Sequence, residues 1–218
     1  MNILALKWRM RKYAREHKPP IVEKPRMVML PVWGAAARAL SYRICGSTDA
    51  QKCWAFLFPP TLGVEVMQVA ATQVGVHEIP AGSNDGPRVH VYQVVTGAFK
   101  QPWCASFVSW CYVTAAKNLG KTVRLAPLPA YVPSWTAMIR AGQRGWRRVE
   151  PAEARAGDVV TLWGSAHVEL VDSCDRDAHI LHCIGGNTAV AGQNSNGGEV
   201  CRTTRGFAEA TVVGRFGS

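Results

Sequence analysis

Apolar residues recur every three or four positions through the first two thirds of this chain and close to every second position through the last third. In the first stretch, Leu6, Met10, Tyr13 and His17 share one helical face, and Lys7, Arg9, Arg11, Lys12, Arg15 and Lys18 surround it. That pattern predicts a short cationic amphipathic helix over residues 3–18. Pro19, Pro20 and Pro25 make an extended linker, and the stripe Trp33, Ala37, Leu40 and Ile44 predicts a second helix over 32–44. Residues 46–60 read as irregular, and Pro59-Pro60 marks a boundary. Beyond it, Val64, Met67, Ala71 and Val74 predict a helix over 61–76. A turn-rich loop from His77 to Gly86 follows, with Asn84 or Asp85 placed to cap a helix running through Val95. Two more helices are expected, from Pro102 to about Asn118 and from a Ser134 cap to Arg140. The period then changes to two. Short β runs fall at 159–163, 167–171, 179–184, 200–204 and 210–216, separated by Gly, Asp, Asn and Ser. Helices followed by an antiparallel sheet make an α+β domain over 61–218 behind a basic helical segment, 1–60.

One helix start is chemically distinctive. In Gln101-Pro102-Trp103-Cys104-Ala105-Ser106-Phe107, Pro102 suits a first helical turn, and an apolar continuation follows it. Cys104 therefore falls where free backbone N–H groups and the positive end of the helix dipole favour a thiolate, and where an oxyanion can be held. An isolated cysteine beside tryptophan is by itself most often a small buried hydrophobe, so the assignment depends on partners.

A thiolate nucleophile needs a base that takes its proton and later passes it to a leaving amine. His167, opening a β run after Gly164-Ser165-Ala166, is the best placed of the histidines; His17, His77, His90 and His179 are read as ordinary core or surface residues. Asn187, at the end of Ile184-Gly185-Gly186-Asn187, carries an amide oxygen able to orient the ring. Glu169, two residues after His167 and so on the same strand face, is an auxiliary candidate for that role.

Five segments occur in register: Asn84 and Gly86; Pro102 to Val108; Ala156-Gly157-Asp158-Val159-Val160; His167-Val168 with Leu170-Val171; and Gly186-Asn187. Together they resemble the CHAP peptidoglycan amidohydrolase/peptidases, which are similar to the NlpC-type papain-like peptidases and frequent in phage endolysins and virion-associated wall hydrolases. The resemblance covers roughly 61–216. It implies a papain-like fold, Cys104 as nucleophile, His167 as general base and acid, Asn187 as third residue, and cleavage of an amide in the wall peptide. Trp103, Tyr131, Trp135 and Asn84 are candidates to line the substrate groove, core packing being the commoner place for most such aromatics. The chain departs from the family in having Gly185 where many members carry the acid of Glu-X-Asn, which leaves Asn187 or Glu169 to orient the ring. It also lacks any Asp or Glu between Tyr92 and Trp103, so no calcium loop is expected there.

Charge adds a second theme. Residues 1–60 carry 11 Lys/Arg against 3 Asp/Glu, whereas 61–218 carry 14 against 12, so most of the net +10 belongs to the front segment. Such a segment is attracted to anionic membrane or lipopolysaccharide, or docks to other virion proteins. No signal peptide and no transmembrane helix are expected, which fits host-cytoplasmic synthesis before action on the wall, or a place in the particle. Seven cysteines at irregular spacing read as mostly reduced thiols. Cys174, His179, His182, Cys183 and Cys201 lie near one another, but neighbours in a strand point to opposite faces and no Cys-X-X-Cys is present, so neither a metal nor any other cofactor is expected. Two other classes stay open: a non-catalytic virion or wall-binding protein built on a papain-like domain, and a nucleic-acid binder acting through the basic front. The aromatics and recognition helix of a specific nucleic-acid reader are absent from the catalytic part.

Overall fold

Among the described residues, four α-helices precede or flank a six-stranded antiparallel sheet in the computed structural model: α1 Leu62–Ala71, α2 Pro87–Val94, α3 Cys104–Asn118, α4 Val132–Arg140, then β1 Trp146–Val149, β2 Val159–Leu162, β3 His167–Asp175, β4 Ile180–Thr188, β5 Glu199–Gly206 and β6 Ala210–Phe216. The chain divides after Pro60 into two units. The structure describes residues 61–189 and 197–217. The two helices and the linker expected within 1–60 lie outside the described residues. No described helix is long and apolar enough to cross a membrane.

Local chemistry sets where the helices start. The Thr61 hydroxyl accepts from Val64 N at 3.3 Å and Glu65 sits in the first turn of α1, both favourable at a helix N-terminus. The helix stops at Ala71, shorter than its apolar stripe suggested, because the chain turns through Gly75 at φ +91°. Neither Asn84 nor Asp85 caps α2. Asn84 is in the left-handed region, Asp85 Oδ1 accepts from Gly86 N at 2.8 Å, and Gly86 is itself the N-cap before Pro87. Ser134 likewise lies inside α4, whose N-cap is Tyr131, and its hydroxyl accepts from Leu128 N at 3.1 Å.

The strand order is β1-β6-β2-β3-β4-β5. Alternation along the strands gives the sheet two apolar faces. Val159, Val168, Leu170, Ile184 and Val212 meet the helices in a core built on Trp103, Phe107, Tyr92, Trp135 and Trp146. Val160, Val171, Cys183 and Val213, each adjacent in sequence to one of those strand residues, join Val149, Leu162 and Leu181 in a smaller cluster. The edge strand β1 escapes the periodicity because its sequence, Trp-Arg-Arg-Val, places two exposed arginines between its two buried ends.

One contact ties the helical layer to the sheet. Gly157, at φ +84°, lies against the backbone of Gly63 in α1 so closely that a β-carbon would collide with the Gly63 Cα and carbonyl, and the Tyr112 hydroxyl donates to the Gly157 carbonyl. Gly157→Ala combines a disfavoured φ with a backbone collision. It should cost about 3 kcal/mol of stability, measurable as a lower urea midpoint at unchanged slope.

Candidate active site

α3 begins with Cys104. Trp103 is its N-cap, and the first intrahelical bond runs from Phe107 N to Trp103 O at 2.8 Å, so the N–H groups of Cys104, Ala105 and Ser106 precede the ladder and no helical carbonyl takes them. The start of this helix lies over β4. A β-carbon on Gly186 would be 2.6 Å from the Trp103 ring and 2.7 Å from Phe107, so glycine there is what lets the Cys104 end of α3 approach the sheet. Thr96 and Ser106 share a hydroxyl hydrogen bond of 2.8 Å beneath the first turn. Cys104 is 5% exposed.

His167 is the first residue of β3 and is also buried. Its Nε2 lies 3.2 Å from Glu169 Oε1, off the direction of the ring N–H, and has no other partner among the described residues. Burial of the ring lowers its pKa, but close contact with Cys104 and Glu169 and the charges of those two groups outweigh burial and raise it to about 9. The imidazole is therefore held as a cation at neutral pH, between a sulfur and a carboxylate.

Glu169 has no exposed surface, so its charge must be met inside the protein. Arg205 on β5 meets it in a two-pronged contact, Nη2 to Oε1 at 2.6 Å and Nε to Oε2 at 3.0 Å, and Thr203 donates to Oε2 at 2.6 Å. Burial raises the Glu169 pKa, and the close contacts and charges of His167 and Arg205 reverse this and bring it down to about 2. Trp163 covers the cluster from outside. Its ring stacks on His167 at 5.8 Å between centroids, the Arg205 guanidinium lies 4.9 Å from the same ring, and its Nε1 donates to Glu209 Oε1 at 3.0 Å. Among the described residues no three His, Cys, Asp or Glu side chains gather as a metal-binding group.

Cys104, His167 and Glu169 thus come together, and Asn187 does not join them as the ring's partner. With its amide turned so that nitrogen faces acceptors, Asn187 donates to Gly197 O at 2.6 Å and to Glu78 Oε1 at 3.3 Å. Glu78 is buried and also accepts from Trp103 Nε1 at 2.8 Å, so Asn187 belongs to a bracket behind Trp103. Two of the expected groove residues are corrected by their burial. Trp103 and Trp135 have no exposed surface, and the Trp135 N–H is committed to Pro129 O at 2.9 Å. Asn84 is half-buried, its carbonyl accepting from Gln93 Nε2 at 2.9 Å, while Tyr131 is exposed.

Arg205, Thr203 and Trp163 were not singled out from the sequence. A signal existed for the first: a glutamate inside His-Val-Glu-Leu-Val cannot be buried unpaired, and Arg205 lies just past a β run. The chain matches no protein-family model, no curated protein and no solved structure.

Proposed function

We propose that residues 61–218 form a papain-like cysteine amidase or peptidase of the CHAP type, which hydrolyses an amide bond of the peptide in bacterial peptidoglycan during phage lysis or entry. The observation that carries this reading is the cysteine in the first turn of α3 beside an imidazole raised to about 9 by that cysteine and by a buried glutamate. The wall peptide as substrate rests on the resemblance of the five segments. In the reaction, the proton of the Cys104 thiol resides on His167 and the sulfur attacks the amide carbonyl carbon. The N–H groups at the start of α3 stabilise the oxyanion. Collapse of the tetrahedral adduct breaks the C–N bond, and the imidazolium gives its proton to the departing amine. The now neutral imidazole takes a proton from water, whose oxygen attacks the thioester. Breaking of the C–S bond then expels the sulfur, the acid product leaves, and the Cys104 sulfur is restored beside the protonated imidazole. Glu169 holds the ring and stabilises its charge, and Trp163 shields that pair from water.

Incubation of purified walls with the full chain, followed by mass spectrometry of the released fragments, tests the proposal. The expected products carry a new amine and a new carboxyl group with intact glycosidic bonds. Release of glycan fragments alone, or of nothing, would sink it.

A further inference from the structure

Leu170 pairs with Ile184 across the β3–β4 ladder, which sets Glu169 opposite Gly185 as the next pair toward the site. A β-carbon built on Gly185 would lie 2.7 Å from Oε1, 2.8 Å from Cγ and 2.9 Å from Cδ of Glu169. Side-chain carbons do not approach so closely, so any residue but glycine at 185 would occupy the place where the Glu169 carboxylate sits. Gly185 is absent from the positive-φ positions, so its backbone geometry does not call for glycine; space does. Viewed from β4, the same space is within reach of a glutamate. The carboxyl carbon of a Glu at 185 would lie two C–C bonds, roughly 2.5 Å, from its own β-carbon, close to the observed distance to Glu169 Cδ, whereas that of an Asp, at about 1.5 Å, would fall short. Arg205 and Thr203, which hold the carboxylate, come from β5, which pairs with β4, and do not depend on β3.

We propose that the orienting carboxylate of this site is defined by a space between β3 and β4 that either strand can fill, with Gly185 as the obligatory complement of Glu169. Glu169 is then a positioning residue, and its role moves to position 185 in a chain carrying Glu169→Gly with Gly185→Glu. The inference rests on His167 being the proton-transfer group of the proposed reaction, but the titration that tests it needs no substrate. The midpoint of the His167 ring protons is followed by NMR in the full chain for the wild type, Glu169→Gly, Gly185→Ala and the paired variant, alongside wall hydrolysis.

Glu169→Gly is expected to lower the ring midpoint and to slow hydrolysis at least ~100-fold. Gly185→Ala should lower the midpoint by displacing the carboxylate, yet add little when placed on Glu169→Gly, because nothing remains there to displace. The paired Glu169→Gly/Gly185→Glu chain should regain both the raised midpoint and at least ~10-fold of the lost rate, with an Asp at 185 restoring less. A paired variant that titrates as Glu169→Gly does would overturn the inference. If that chain fails to fold, a Gly185→Ala midpoint equal to the wild type overturns it instead. Absence of wall hydrolysis by the wild type, with the titrations as expected, would count against the proposed reaction and leave the positional inference standing.

Discussion

Replacing Cys104 with serine is expected to reduce wall hydrolysis by about 10³-fold or more while moving the thermal midpoint by no more than about 2 °C. Oxygen takes the place of sulfur with little change in volume, in a first turn whose backbone groups hold the same geometry. A hydroxyl, however, does not hand its proton to this imidazole in the ground state. The ring then loses one of the two groups that raise it, so its midpoint should fall from about 9 toward the ordinary 6.5 with Glu169 still in place. Chemical labelling offers a parallel view. Burial pushes the thiols of Cys111 and Cys183 far up, that of Cys174 up and that of Cys201 to about 11. Iodoacetamide at mildly acidic pH should therefore modify Cys104 ahead of the other described cysteines, and Cys104→Ser should abolish that modification. A serine variant that clears walls within tenfold of the wild-type rate, or an unlabelled Cys104, removes the nucleophile from the scheme.

How much of this site was legible beforehand follows from the kind of signal each residue leaves. Cys104 and His167 sit at the starts of a helix and a strand, and element starts are marked by proline, glycine and a change of period. The ring's partner Glu169 was legible as a candidate because it lies two residues after His167 on the same strand face, whereas the cross-strand neighbours that hold its charge, Arg205 and Thr203, are not encoded in the local sequence. Asn187 had the right chemistry and a position at the end of the expected strand. β4 instead runs on through Gly185 and Gly186 to Thr188, because those glycines are needed for close approach by Glu169 and by Trp103 and are not serving as a turn. The asparagine then faces Glu78. Trp103 and Trp135 were groove candidates for which core packing was the alternative, and their N–H groups found acceptors, Glu78 Oε1 and Pro129 O, that allowed them into the core. Trp163, read as the end of a strand, instead turns out at φ +50° and puts a half-exposed indole over His167.

Arg205→Ala should be the most damaging substitution for stability among the residues of the cluster, about 3–5 kcal/mol, because it strands the Glu169 carboxylate in the interior with only Thr203 and the imidazole to meet it. Replacing both partners, Glu169→Gln with Arg205→Met, should cost less, since no uncompensated charge remains. The pH dependence distinguishes this cluster from a generic core defect. Glu169 titrates at about 2 in the folded protein against an ordinary 4.5, so its contribution is fully present above pH 4.5 and is lost as pH falls through 2. His167 titrates at about 9 against 6.5, so its contribution is fully present below pH 6.5 and is lost as pH rises through 9. Wild-type stability from these two groups therefore peaks between about pH 4.5 and 6.5. Removing Arg205, which holds the Glu169 pKa down, should move the acid limb to higher pH, and urea unfolding across pH 2–10 would record both the loss and the shift. A variant as stable as the wild type within about 0.5 kcal/mol at pH 6 would mean that the carboxylate is not held by Arg205, and the raised imidazole would need another source.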